Sequence, residues 1–201
     1  TATAITTAGI NVTGTSAGNT ILGSNQADTI TAGSGALVVT GDGGNDVITG
    51  GAGVDLLTTQ ATAALEGTDT ISGFTLGSSG DVLRIDAFLN ATAMNSKLSA
   101  NPNASDVSSD VNLLVDINGN DDITTASGLA EALTASGEYV NLNMTSSTKA
   151  VFVTAASAGS SVTQHVFFAT AAANTSVITA TKIATIAAVD IDSFAKENFN
   201  I

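Results

Sequence analysis

From Gly14 the sequence divides into five consecutive nine-residue units: GTSAGNTIL, GSNQADTIT, AGSGALVVT, GDGGNDVIT and GGAGVDLLT. A sixth copy, ALEGTDTIS at 64–72, resumes after a five-residue slip. A fixed period of this kind constrains the fold more than any composition does, because each unit must adopt one local structure and bury its apolar face on the next. The eighth place holds Ile21, Ile30, Val39, Ile48, Leu57 and then Ile71. A branched apolar residue at that place belongs on a short strand, stacked on its equivalent in a neighbouring coil. The sixth place reads Asn19, Asp28, Leu37, Asp46, Asp55 and then Asp69. Glycines such as Gly23, Gly41, Gly43 and Gly50 fall at the start of the units, where the chain must turn tightly.

Charge says what those acids want. The chain has 18 acids against 5 bases, a net charge of −13, and residues 1–83 hold seven acids with neither Lys nor Arg. Only 11% of the residues are charged, and Ala, Thr, Ser and Gly make up 103 of 201, so the acids stand in a neutral background without internal partners. Aspartates beside exposed turn carbonyls form a hard oxygen donor set suited to Ca²⁺. The candidate ligands are Asp28, Asp46, Asp55, Asp69 and Asp81, with the turn residues Gly23, Asn25, Gly41, Gly43, Gly50 and Ala52. The same balance argues against nucleic acid, which needs a basic face, and against anionic membrane surfaces. No cysteine is present, so disulfides and thiolate chemistry are excluded. No apolar stretch approaches the length of a membrane-spanning helix, so membrane insertion is not expected. The first eight residues lack the features of a signal peptide, and Thr1 in place of Met suggests a piece of a longer chain.

The units resemble the GGxGxDxUx repeat of RTX proteins, whose parallel β-roll binds calcium between stacked turns. Gly50 to Thr58 matches every defined position, and Gly41 to Thr49 departs only at Asp42. The resemblance implies that residues 18 apart stack, so that Asp28 faces Asp46, while the other side reads Asn19, Leu37, Asp55. Leu37 cannot ligate, so that side is expected to be weaker unless Asp69 and backbone oxygens complete it. Residues 1–85 are therefore expected to form the roll, with Gly67 to Ile85 as its cap through Phe74, Leu76, Val82, Leu83 and Ile85.

Residues 86–201 are expected to form a second, β-rich domain. Phe88, Leu89, Ala93, Met94 and Leu98 fall near helical spacing between Asp86 and Ala100, and Pro102 ends that segment. Asp116, Asn118, Asn120 and Asp122 alternate as in the opening of an EF-hand-type loop, although the expected Glu is replaced by Ser127. They are either a further calcium site or an acidic turn leading into a helix at 127–136, N-capped by Ser127 or Thr125. From Glu138 the period becomes two: Val140, Leu142 and Met144, then Val151 and Val153, Val166 and Phe168, and a last run through Val177, Ile178, Ile183 and Ile186. Four or five strands in a small antiparallel sheet or sandwich are expected. The fold class is thus all-β, a parallel roll followed by a smaller sheet with one or two short helices.

The only histidine, His165, sits in a strand pattern, and no HExxH, GxSxG or phosphate loop occurs. An enzyme is not expected. Residues 189–201, VDIDSFAKENFNI, resemble the C-terminal export signals of RTX proteins secreted by type I systems; a plainer alternative is that Phe194, Phe199 and Ile201 dock a terminal helix on the sheet. Composition resembles that of RTX surface-layer subunits. That resemblance implies a secreted, self-assembling cell-surface protein whose partners are its own copies, the type I secretion machinery and, through regions upstream, surface polysaccharide. The export tail of an RTX enzyme or of an RTX adhesin is the alternative.

Overall fold

The computed structural model describes residues 8–89, 96–99, 112–116, 123–133, 149–155, 162–171, 178–189 and 193–200. The first eight strands are β1 (Asn11–Thr13), β2 (Asn19–Ser24), β3 (Thr29–Thr31), β4 (Leu37–Asp42), β5 (Val47–Thr49), β6 (Leu56–Thr58), β7 (Asp69–Ser72) and β8 (Val82–Arg84). They alternate between two parallel layers. β1, β3, β5 and β7 pair in order on one side, β2, β4, β6 and β8 on the other. This is the parallel roll that the nine-residue period requires: two units make one coil. Val12, Ile30, Ile48 and Ile71 are register partners in one layer, and Ile21, Val39, Leu57 and Leu83 in the other. The two apolar columns face each other, and each fully buried side chain contributes roughly 1.5–3 kcal/mol.

The roll has one more strand, half a coil, at each end than the nonapeptides indicated. Val12 on β1 precedes the first unit, and Gly67 to Ile85 is not a lid but the seventh and eighth rungs, β7 and β8. The five-residue slip is taken up by α1 (Ala63–Glu66), which lies outside the strand stack between β6 and β7.

The second half extends the same sheet. The strands β9 (Ser96–Ser99), β10 (Leu113–Asp116), β11 (Lys149–Ala155), β12 (Val162–Ala171) and β13 (Ile178–Val189) follow, and β14 (Phe199–Asn200) ends the chain's described part. Among the described residues the order is β1-β3-β5-β7-β13-β12-β11-β10-β9 in one sheet and β14-β8-β6-β4-β2 in the other. β13 pairs parallel with β7, Ile186 opposite Ile71, and β14 pairs parallel with β8, Phe199 opposite Leu83. The boundary expected after residue 85 is therefore no gap: the far half supplies the next rung to both apolar columns, and one buried cluster runs from Ile21 to Phe199.

Two local expectations change. The helix expected from Asp86 to Ala100 is only α2 (Asp86–Leu89), and Ser96–Ser99 is a strand paired with β10; sheet pairing overrides a weak helical spacing. The antiparallel arrangement holds for β11, β12 and β13, but β9–β10–β11 and the junction with β7 are parallel. The third helix, α3 (Ala126–Ala132), begins where Thr125 caps it, its hydroxyl accepting from the Gly128 N–H at 3.1 Å. It covers the second face of the sheet with Leu129, Ala132 and Leu133 against Phe152 and Phe167. The strand expected at Val140, Leu142 and Met144 lies outside the described residues.

Candidate metal centre

The sixth-place residues stand just before their strands or open them, as Asn19, Leu37 and Asp69 do, and form two columns. On the long-sheet side the column is Ile10, Asp28, Asp46, Asp69; on the other it is Asn19, Leu37, Asp55, Asp81. Every aspartate is buried, and each carboxylate joins two coils. Asp28 Oδ2 accepts from the Ser24 N–H of its own turn at 2.6 Å and Oδ1 from the Ile10 N–H of the preceding coil at 2.7 Å. The N–H of Asp28 donates to Asp46 Oδ1 at 2.9 Å, and that of Asp46 to Asp69 Oδ1 at 2.9 Å. Opposite, Asp55 takes the N–H groups of Gly51 and Leu37, both at 2.8 Å, and Asp81 those of Asp55 and Thr75, both at 2.7 Å.

Amide donors satisfy part of this negative charge, but among the described residues no base does. Arg84, the first base in the chain, is spent on Asp86 at 3.0 Å. Burial pushes the Asp46 carboxyl up from 3.8 to about 6, against hydrogen bonding to Asp28 and with added repulsion from Asp28 and Asp42. Burial likewise lifts Asp69 to about 8, with Glu66 and Asp46 as repelling neighbours, and Glu66 to about 7. Asp81 is raised for the same first reason. These carboxylates are held close in low dielectric, a condition that a bound divalent ion relieves.

The turns supply the other half of an oxygen site. A Cβ on Gly23 would strike the Gly41 carbonyl oxygen and Asp28 Oδ2, and one on Gly41 would strike Asp46 Oδ2. Glycine is required there because oxygen atoms from two coils crowd the Cα, and Asp46 Oδ2 is buried with no hydrogen-bond partner. Asn25 and Gly43 stack one above the other in successive turns. Among the described residues no three of His, Cys, Asp or Glu converge as a cage. A cation fits as a bridge between single carboxylates and turn carbonyls, which suits calcium's taste for six to eight mixed oxygens. When bound, it would neutralise the column and tie one coil to the next.

The expected residues map onto this frame with one exchange of sides. Asp28 and Asp46 are adjacent as expected. Asp69 does not join Asp55; it continues the Asp46 column, because the slip spans 23 residues from β5 to β7 and preserves the alternation of layers. Asp81 is the true successor of Asp55. Its signal was present in the triplet Asp81-Val82-Leu83, which repeats the spacing of Asp28-Thr29-Ile30. Gly50 lies 3.2 Å, measured from where its Cβ would stand, from Asp55 Oδ2, whereas Ala52 is exposed at the turn tip. Asp116 ends β10, and Asn118, Asn120 and Asp122 lie outside the described residues. Sequence reasoning passed over Ser24, whose hydroxyl donates to Asp28 Oδ1 at 2.8 Å, and Glu66, buried at the slip.

The terminus is tied to the last coil. The 3-10 turn Lys196–Asn198 buries Asn198 completely. Its Nδ2 donates to the Asp81 carbonyl at 2.8 Å and the Gly77 carbonyl at 3.2 Å, while Oδ1 accepts from Gly77 and Ala195, both at 3.0 Å. Phe194 and Phe199 stack with centroids 5.6 Å apart. The terminal segment thus docks as a strand on the roll, rather than as a helix on the far sheet.

Comparison with known proteins meets this geometry at the repeats. The family described as the RTX calcium-binding nonapeptide repeat, in four copies, matches residues 13–36 and 38–61. Neither a curated protein nor a solved structure matches the chain. The roll therefore carries RTX calcium-binding repeats, its cofactor is calcium, and repeats of this type mark secreted, calcium-binding proteins.

Proposed function

We propose that this chain is the calcium-dependent folding and export region of a self-assembling bacterial surface-layer protein, with a structural and not a catalytic role. The observation that carries the reading is the pair of buried aspartate columns in a segment that contains no base. Asp28 and Asp46, with carbonyls of Gly23, Asn25, Gly41 and Gly43, are assigned to one side; Asp55 and Asp81, with Gly50, to the other. Where calcium is scarce the columns repel and the chain stays loose enough for a type I channel. At extracellular calcium on the order of 10⁻³ M the coils close, and folding draws on the free energy of binding. The Ala, Thr, Ser and Gly surface, poor in Lys, supports assembly of copies into a lattice.

The test uses the whole chain with and without chelator, followed by circular dichroism, light scattering and electron microscopy. Calcium is expected to induce β structure and then ordered arrays. A far-UV spectrum indifferent to calcium sinks the folding switch. Calcium-induced folding to a species that stays monomeric at high concentration removes the lattice role and favours the export region of an RTX enzyme or adhesin.

A further inference from the structure

We propose that Asn198 is the positioning residue for the last acid of the short-sheet column (Asn19, Leu37, Asp55, Asp81), and that through it docking of the terminal segment and calcium binding at Asp55 and Asp81 strengthen each other. The proposal rests on the assignment of those two acids to a calcium column and adds a control that the repeat does not contain.

In the roll one coil braces the next through its backbone. The seventh-place N–H groups of Thr29, Val47, Thr70 and Val82 donate to the sixth-place carbonyls of Ile10, Asp28, Asp46 and Asp55 in the preceding coil, at 2.7–2.9 Å. The sixth-place N–H groups of Asp28, Leu37, Asp46 and Asp55 donate in turn to the acid of the following coil. Beyond Asp81 the next strand is β14, which is no repeat. The Asp81 N–H closes back on the Thr75 carbonyl at 2.7 Å, and the Asp81 carbonyl accepts from Asn198 Nδ2 at 2.8 Å, as the other sixth-place carbonyls accept from a seventh-place N–H. A carboxamide carries the donor and the acceptor of a peptide group, so Asn198 stands in for the missing coil.

The turn it braces is the one that needs bracing. Asp28 Oδ2 and Asp55 Oδ2 accept from N–H groups four residues back, those of Ser24 and Gly51, whereas Asp81 Oδ2 reaches six residues back to Thr75. The last turn is therefore two residues longer, with Ser78 and Ser79 exposed at its tip. Asn198 ties its middle as well as its end: the Gly77 N–H donates to Oδ1 at 3.0 Å, and the Gly77 carbonyl accepts from Nδ2 at 3.2 Å. One side chain thus fixes the turn that directs the Asp81 carboxylate to the Asp55 N–H. Asn198 is held in its own place by Phe199, in register with Leu83, and by the Asn200 carbonyl, which accepts from the Ile85 N–H at 2.8 Å. The segment seats on a formed last coil, and that coil is formed with the segment in place; by linkage, calcium that favours one favours the other.

The experiment is a double-mutant cycle on the full chain, with calcium affinity read by calorimetry. Asn198→Ala alone is expected to weaken calcium binding roughly tenfold. In an Asp81→Asn background that effect is expected to vanish, and in an Asp46→Asn background, on the other column, to persist. Equal effects in both backgrounds show a contact that is structural only and overturn the proposal, leaving the calcium columns standing; a wild-type chain that binds no calcium overturns both. A second measurement needs no variant. Lys196 is exposed in the docked segment, and trypsin is expected to release residues 197–201 quickly in chelator and slowly in calcium, followed by mass spectrometry. Release at one rate in both conditions overturns the coupling.

Discussion

The roll and the terminal strands share one sheet but are held by opposite means. In the roll most strands send a single branched side chain inward, β4 two (Leu37 and Val39), and the same coils bury aspartates that, among the described residues, no base meets. In β11 every residue from Ala150 to Ala155 is buried, as are Val166 to Ala169 in β12, with Phe152 and Phe167 at 0% exposure between the sheet and α3. Burial on both faces gives the terminal strands a hydrophobic stability that needs no ion. The comparison teaches that a continuous sheet need not be one energetic unit: on the proposed function one part is conditional on calcium, and the other supplies a permanent end on which the conditional part closes.

The largest effect that separates them is chelation. Hydrogen exchange is expected to lose protection across β2 to β8 while β11 and β12 stay protected; uniform loss would show that the two parts fold only together. Acid should substitute for calcium. Asp46, Glu66 and Asp69 have folded-state values of about 6, 7 and 8, raised from 3.8, 4.5 and 3.8, so the metal-free fold binds more protons than the unfolded chain. Its stability is greatest below about pH 4 and is lost as pH rises through 6 to 8. A pH titration of the chelated protein by circular dichroism is expected to show the roll folding on acidification, and better folding at pH 8 than at pH 5 would reverse the assigned sign.

Single substitutions then sharpen the contrast. Phe152→Ala is expected to cost about 3–5 kcal/mol with or without calcium, read from urea unfolding; a calcium-dependent cost would tie the far sheet to the ion. Asn198→Ala strands buried groups of Gly77 and Asp81 and is expected to cost about 2–3 kcal/mol, with exchange rising first in β8. Leu37→Asp gives the smallest net change. It removes a buried apolar side chain but completes the column between Asn19 and Asp55, so it should destabilise in chelator and recover in calcium with tighter binding by calorimetry.

Much of the roll was legible because its determinants are local and repeated. Asp28 and Asp46, Ile30 and Ile48 announce their stacking by spacing alone. The side taken by Asp69 was not legible, since it depends on how α1 absorbs the slip, and neither was the inward turn of Glu66, a residue whose neighbours in sequence give no sign of burial. The single-strand patterns at Val151 and Val166 marked β11 and β12 correctly. The attachment of their sheet to β7 through β13 left no local trace, because pairing between Ile186 and Ile71 joins residues more than a hundred positions apart.

By itself the sequence determined the repeating coil, its two apolar columns and its unbalanced acids, since each follows from residue type at a fixed period. Only the tertiary structure decided how the coil ends. Ile186 and Phe199 extend the two columns, and Asn198 fills the last turn, because an open solenoid must cover unpaired strand edges and apolar side chains with whatever partner the rest of the chain can bring to them.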